Sequence, residues 1–141
     1  MIPFEEADIL MQEIIDFLME CGGVYEKYGQ NNMGLLQEII LMLIATDQHI
    51  VKRAEDGKIN HWLGYFKVHP EAVEGLCNNQ RPSDIQTGSI LYVAEHGNTT
   101  GRHGMTEIIR DLKAIARRDG LHGVFWNSKG RGMRLFLRKG A

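Results

Sequence analysis

Apolar residues recur every three to four positions in three stretches of the chain, and this spacing predicts three amphipathic helices. The first opens with the carboxylates Glu5, Glu6 and Asp8, has its apolar positions over 7–21 and is stopped by Gly22 and Gly23. The second covers 32–46, follows a polar loop and is apolar on nearly every side, which predicts that other elements or another subunit cover it. The third covers 105–119 and is closed by Gly120.

Short apolar runs between these helices predict strands. Two runs at 49–54 and 59–68 flank the turn dipeptide Asp56-Gly57, which predicts an antiparallel hairpin. The run ILYVA at 90–94 predicts a strand covered on both faces, and 121–126 predicts a second, parallel strand reached through the third helix. The intervening segment 69–88 is predicted to be a loop with one helical turn. The order of elements therefore predicts an α/β (α+β) fold with a mixed sheet.

Length and composition predict one globular domain over residues 1–141, since 43% of the residues are hydrophobic. Two cysteines, Cys21 and Cys77, are too few for a disulfide framework and favour a reduced, intracellular setting. The chain shows neither a basic leader nor an apolar run long enough to span a bilayer. These features together predict a cytoplasmic protein without a membrane partner.

Charge is distributed unevenly along the chain. Residues 1–96 carry 6 Lys/Arg and 15 Asp/Glu, a net −9, whereas 97–141 carry 10 and 3, a net +7. A basic C-terminal third suggests an anionic ligand, such as a phosphorylated cofactor or nucleic acid. The alternative is that these cations solvate one face and pair with the acidic half.

The stretch 89–120 combines a predicted strand, a glycine-rich bend and a predicted helix. Gly97, Gly101 and Gly104 allow close approach of a ligand, and the first amides of the following helix lack partners within it. Arg102 supplies a cation for a charge-assisted contact with phosphate. The bend is therefore a candidate anion-binding site, with an ordinary loop as the alternative.

Glu95, at the end of the predicted strand, is the candidate general base, with a solvated carboxylate as the alternative. His96 and His103 flank the bend, but the six histidines of the chain show no metal-binding spacing. No metal site is therefore predicted.

Nucleic-acid binding is a further alternative, because cations and aromatic residues are both frequent downstream of the bend. The cations are Arg110, Lys113, Arg117, Arg118, Lys129, Arg131, Arg134, Arg138 and Lys139. The aromatic residues Phe125 and Trp126 lie in a hydrophobic run, which favours a place in the core over a stacking role.

Four segments of the sequence together resemble the GNAT superfamily of acyl-CoA N-acyltransferases. IPFEEADI is similar to the entry into the family's first helix, and VKRAEDGKINHWLGYFKV to its second and third strands with their turn. IIRDLKAIARRDG resembles the cofactor helix, and WNSKGRGMRLFLRKGA the region after the fifth strand, where a short helix follows an asparagine. The resemblance implies a GNAT-like mixed central sheet flanked by helices, and acetyl-CoA as co-substrate.

By this resemblance, the strands at 90–94 and 121–126 would splay apart and admit the pantetheine arm. Glu95 or a neutral His96 would take a proton from the attacking amine, and the acceptor, a small-molecule or protein amine, would enter beside 69–88. The residues implied in cofactor binding are Val93, Asn98, Gly101, Arg102, His103, Gly104, Met105 and Asn127.

The sequence also departs from the family pattern. Asn98, Gly101 and His103 fill the places of the pyrophosphate motif, Phe136 stands near the frequent general-acid tyrosine, and the C-terminal part is short. A catalytically degenerate structural or binding protein is therefore the alternative to the enzyme. It would resemble short bacteriophage proteins and assemble, as a homo-oligomer or in a phage particle, through the 32–46 helix.

Overall fold

A computed structural model describes residues 3–21, 24–77, 80–127 and 133–135 of the chain. The described helices are α1 (Phe4–Cys21), α2 (Val24–Ala45), α3 (Val73–Cys77) and α4 (Arg102–Asp119). A 3-10 turn, Pro70–Ala72, precedes α3. The described strands are β1 (His49–Arg53), β2 (Ile59–Val68), β3 (Ile90–Asn98), β4 (Gly123–Asn127) and β5 (Met133–Leu135). None of the described helices is long and apolar enough to cross a membrane.

The five strands form one mixed sheet in the order β1-β2-β3-β4-β5. β1 and β2 are antiparallel, β3 and β4 parallel, and β4 and β5 antiparallel. Gly57, with a φ of 86°, makes the turn between β1 and β2. The mixed α/β class, the hairpin and the parallel pair are thus confirmed, and the predicted helical turn in 69–88 is also present.

The chain divides into two compact units, of which the first comprises residues 1–64 and 95–104. Its core contains side chains from α1 and α2 that are at most 3% exposed, namely Ile14, Ile15, Leu18, Leu36, Ile40, Leu43 and Ile44. Gly64 of β2 admits α2, because a Cβ there would lie 2.5 Å from Leu43 Cδ1. The apolar face of α2 is therefore largely buried within the chain, and Leu35 is its one described large apolar side chain that is exposed.

The second unit comprises residues 65–94 and 105–141. The apolar face of α4 is buried there through Ile108, Leu112, Ile115 and Ala116. The end of α4 is tied to β2 by polar contacts: Arg118 donates to the hydroxyl of buried Tyr65 over 3.0 Å, and Lys67 lies 2.9 Å from Asp119. The predicted helix and its face are confirmed.

Of the two helix starts predicted in the N-terminal half, that of α1 is confirmed and that of α2 is wrong. α1 begins at Phe4, so Glu5 and Glu6 lie in its first turn, where carboxylates favour the helix dipole. α2 begins at Val24, and the polar loop predicted before residue 32 is helical. Weak helix formers such as asparagine are tolerated in a helix when tertiary contacts support it, and α1 and α2 pack against each other.

Two further differences lie in the C-terminal half. β3 continues to Asn98 and α4 begins at Arg102, so the predicted bend narrows to Thr99–Gly101. Residues 133–135 form a strand paired with β4, not the short helix that the family resemblance implies.

Candidate active site

The bend between β3 and α4 is held by backbone and side-chain hydrogen bonds. Thr99 N donates to Asn60 O of β2 over 3.1 Å, and Asn98 Oδ1 accepts from Thr100 N over 3.1 Å. Gly101 adopts a φ of 60°, a left-handed conformation that strains other residues. The chain thus turns within three residues and enters α4 directly.

Gly104 makes this tight turn possible. A Cβ at this position would lie 2.3 Å from Asn98 Oδ1 and 2.6 Å from Thr100 Oγ1. The bend therefore folds back over the first turn of α4 and leaves no room for a side chain. By contrast, no atom lies within 4 Å of a Cβ placed on Gly101. Gly101 is required for its backbone conformation and Gly104 for its lack of a side chain.

Glu95 lies on β3 and is only 6% exposed. Among the described residues, its Oε1 has no hydrogen-bond partner, and the same is true of the indole Nε1 of Trp62. Burial raises the pKa of Glu95 to about 8, and the nearby Trp62 indole partly opposes this effect. The carboxyl group therefore titrates near neutral pH, as a general base does.

His96 follows Glu95 in β3, and burial alternates along this strand, so the two side chains point to opposite faces of the sheet. Burial and the charge of His61 on β2 lower the pKa of His96 to about 4. His96 is consequently neutral at physiological pH. Because the two side chains face opposite ways, only one of them can face a given ligand.

Gly97 continues the face of Glu95 toward α1. A Cβ on Gly97 would lie 3.0 Å from Leu18 Cδ2 and 3.2 Å from a Phe17 ring carbon. At the same corner, Cys21 Sγ lies 4.0 Å from Asn98 O, and burial raises the pKa of its thiol. The end of β3 is thus packed against the last turn of α1.

β3 and β4 are paired over three residues only, from Ile90–Gly123 to Tyr92–Phe125. Continuing in register, Val93 would face Trp126 and Ala94 would face Asn127, but the described part of the two strands has no such pairs. Both strands nevertheless continue, β3 to Asn98 and β4 to Asn127. Beyond Tyr92 and Phe125, the described parts of the two strands therefore continue without pairing to each other.

A groove of about 600 Å³ lies in the predicted loop segment. Its ionisable lining residues are His69, Glu71, Glu74, Arg81 and Asp84. His69 Nε2 lies 2.9 Å from Asp84 Oδ2. Hydrogen bonds from Thr87, the Gln86 amide and His69 hold the pKa of Asp84 well below its usual range.

The structure brings Asn98, Gly101 and Gly104 together in the bend, and Arg102 and His103 lie in the first turn of α4. His103 is exposed, Met105 half-buried and Val93 buried. The side chains of Arg102 and Asn127, and the whole of Phe136, lie outside the described residues.

Sequence reasoning missed Trp62 and His61 as neighbours of Glu95 and His96. Both residues were assigned to the strand 59–68, and 59–66 includes no fully exposed position. The signal that was available is His61, an ionisable residue directly before the apolar run 62–66.

Among the residues that the structure describes, no group of three or more His, Cys, Asp or Glu could hold a metal ion. Comparison of the chain with family models, with curated proteins and with solved structures gives no match.

Proposed function

We propose that this chain is a GNAT-like N-acetyltransferase that moves an acetyl group from acetyl-CoA to a primary amine by direct attack. The observation that carries the proposal is the end of β3–β4 pairing at Tyr92 and Phe125, immediately before the glycine bend. Two parallel strands that stop pairing expose backbone donors and acceptors on facing edges. Such an opening suits the amide groups of a pantetheine arm.

By the sequence resemblance, the bend is the proposed place of the pyrophosphate. Val93 would pair its backbone with pantetheine, and the amides from Gly101 to Met105 would hold the pyrophosphate at the N-terminus of α4. A helix of 18 residues carries a partial positive charge at that end. Arg102, Asn98 and Asn127 are further candidates for cofactor contacts by sequence position, and exposed His103 is a candidate for the outer phosphate.

Glu95 is the better of the two candidate bases. With a pKa of about 8, its carboxylate is a strong base, although about one molecule in ten carries it at neutral pH. His96, with a pKa of about 4, is always available but binds a proton weakly. Since base strength favours transfer in the transition state, we assign the proton to Glu95, directly or through a water molecule.

The chemistry then needs no covalent enzyme intermediate. Acetyl-CoA supplies an electrophilic thioester carbonyl, to which the amine nitrogen adds as its proton passes to Glu95. The C–N bond forms, the C–S bond breaks, and the thiolate takes a proton from solvent, since Phe136 has none to give. The groove in 69–88 is the proposed place of entry for the amine.

Calorimetric titration with acetyl-CoA at about 1 mM tests cofactor binding, and thiol release with a panel of amines tests transfer. We expect saturable binding, and faster thiol release with at least one amine than without. If mixing produces no heat, and thermal stability does not change with cofactor, the proposal is wrong. Desulfo-CoA, which lacks the thioester, is the control that separates binding from turnover.

The alternative function is a non-catalytic structural protein, and exposed apolar side chains favour it. Phe4 is 77% exposed and Ile9 69% exposed on α1, and Leu35 is 40% exposed on α2. A chain that assembles through these residues, for example in a phage particle, would bind no acetyl-CoA. Its sedimentation would show a self-associated species that Phe4→Ser and Ile9→Ser disperse.

A further inference from the structure

A row of exposed cations lies along α4, away from its buried face. Arg110, Lys113 and Arg117 are all exposed, and none of the ion pairs described for the chain involves them. At 100° per residue they fall within about 60° of the helix circumference. We call these three residues the basic stripe.

The neighbouring charges leave the stripe available. Arg118, by contrast, is held by Asp119 at 2.9 Å and by the hydroxyl of Tyr65. Glu107 and Asp111 are half-buried and lie about 60° and about 100° around the helix from Arg110, on the side away from Lys113 and Arg117. Three cations on one exposed face thus lack a partner in the described part of the chain.

We infer that the basic stripe binds the phosphate backbone of double-stranded DNA without reading its sequence. Arg110 and Arg117 are separated by about 10 Å along the helix axis. Successive phosphates of one DNA strand advance by about 3.4 Å. One strand presents about four phosphates over that length, so each of the three cations has a phosphate within its span.

The composition of the exposed face favours duplex DNA over other polyanions. Single-strand binding uses aromatic stacking platforms, and α4 has no aromatic ring apart from the imidazole of His103. Binding to a membrane surface needs large apolar side chains beside the cations. The exposed large apolar residues of the described chain lie on α1 and α2, not on α4.

Salt dependence gives a quantitative test. Three neutralised phosphates predict a slope of log K against log salt of about −2.7, so that affinity falls about 40-fold between about 50 and about 200 mM salt. Fluorescence anisotropy with a labelled duplex of about 30 bp measures this slope. Other cations of the chain add to the slope, so the difference between variants is the decisive quantity.

Arg110→Gln/Lys113→Gln/Arg117→Gln should lower the slope by about 2.7 and weaken binding at low salt. The charge-matched control Lys52→Gln/Lys58→Gln/Arg81→Gln should change the slope by less than about 0.5. Arg110→Lys/Arg117→Lys keeps the point charges and should preserve the slope. All the replaced residues are exposed except half-buried Lys52, and circular dichroism will verify the folds of the variants.

Equal loss of slope in the stripe and control variants would overturn the inference, because binding would then follow net charge alone. The absence of duplex binding by the wild-type chain at low salt would overturn it as well. Binding to phosphatidylserine vesicles in place of DNA would assign the stripe to a membrane surface and also reject it. The measurements use no acetyl-CoA, so their outcome is independent of the proposed transfer activity.

Discussion

The carboxamide of Asn98 lies where a side chain on Gly104 would be, since a Cβ on Gly104 would lie 2.3 Å from Asn98 Oδ1. The last residue of β3 and the first turn of α4 are therefore in direct contact. This contact fixes the path of the bend that we propose as the pyrophosphate site.

Gly104→Ala should disrupt this contact even though alanine favours helices. We expect a loss of about 1–3 kcal/mol in the free energy of unfolding, because a methyl group cannot enter without moving the bend. Acetyl-CoA affinity should fall with it. Urea unfolding and calorimetry measure the two effects.

Gly34→Ala is the matched control, since Gly34 is an exposed glycine of α2 with no atom within 4 Å of its Cβ position. This substitution should stabilise the chain by up to about 1 kcal/mol. If Gly104→Ala also stabilised the chain and kept acetyl-CoA binding, the bend would be more adaptable than its geometry indicates.

Glu95→Gln should lower kcat by about 100-fold or more while leaving acetyl-CoA binding nearly unchanged. For the wild-type enzyme, kcat/KM should rise with pH and level off above an apparent pKa of about 8, where the Glu95 carboxylate is fully formed. The acceptor amine titrates too, so the Glu95→Gln profile should retain the amine's titration alone. An unchanged turnover in this variant would remove Glu95 from the mechanism.

Stability should depend on pH through Glu95 and His96 together. The folded pKa of Glu95 is raised from 4.5 to about 8, so its contribution to stability is full below 4.5 and is lost as pH rises to 8. The folded pKa of His96 is lowered from 6.5 to about 4, so its contribution is present above 6.5 and is lost as pH falls to 4. Between pH 4.5 and 6.5, the stability lost through Glu95 as pH rises is offset by the stability gained through His96.

The free energy of unfolding of the wild-type chain should therefore stay constant between pH 4.5 and 6.5. It should then fall by about 2 kcal/mol between pH 6.5 and 8. Glu95→Gln should remove the loss above 6.5 and reveal a rise from 4 to 6.5. Chemical denaturation at a series of pH values measures both curves. Parallel curves for the two proteins would show that Glu95 is not buried as an acid.

Asp119 should contribute to stability through its two cations. Arg118 and then Lys67 hold the pKa of Asp119 at about 2, below its ordinary 3.8, so its contribution is present above 3.8 and is lost as pH falls toward 2. Asp119→Asn should cost about 1 kcal/mol near neutral pH, because the carboxylate is only partly buried, and the difference from wild type should vanish in acid.

Tyr65→Phe independently tests the polar network formed by Tyr65, Arg118, Asp119 and Lys67. It removes the hydroxyl that accepts from Arg118 but not the buried ring, and should cost about 1 kcal/mol without changing the acid titration. A double variant with Asp119→Asn that costs less than the two single changes combined would show that the contacts act together. Full additivity would contradict a shared network.

Periodicity predicted the elements of this fold well where one strong pattern dominates, as in α4 and β2. It failed where polar residues enter regular structure: Glu95 was placed at the end of the predicted strand and His96 beside the bend, but β3 continues to Asn98. It failed as well before residue 32, where asparagines suggested a cap but the chain is helical. Local helix propensity is a weak guide, because tertiary context can override it.

The candidate site was predicted only in part for the same reason. The glycines of the bend and Glu95 could be selected from their order along the chain. Trp62 and His61 come from a different strand, and their proximity depends on strand order in the sheet. The burial that brings the pKa of Glu95 to about 8 is likewise a property of the folded chain.

The segment from His69 to Thr87 is closed at its base by the sheet itself. Lys67 N donates to Ile85 O over 2.8 Å, and Gly88 N donates to Lys67 O over 3.2 Å. Gly88 passes so close to β2 that a Cβ there would lie 1.9 Å from the Val68 carbonyl carbon. Leu76 and Ile85 of this segment are buried, but most of its other residues are not, and because its two ends are fixed to each other, we expect these to vary without altering the strands. The scaffold can thus present a different loop, and recognise a different molecule, while its fold stays the same.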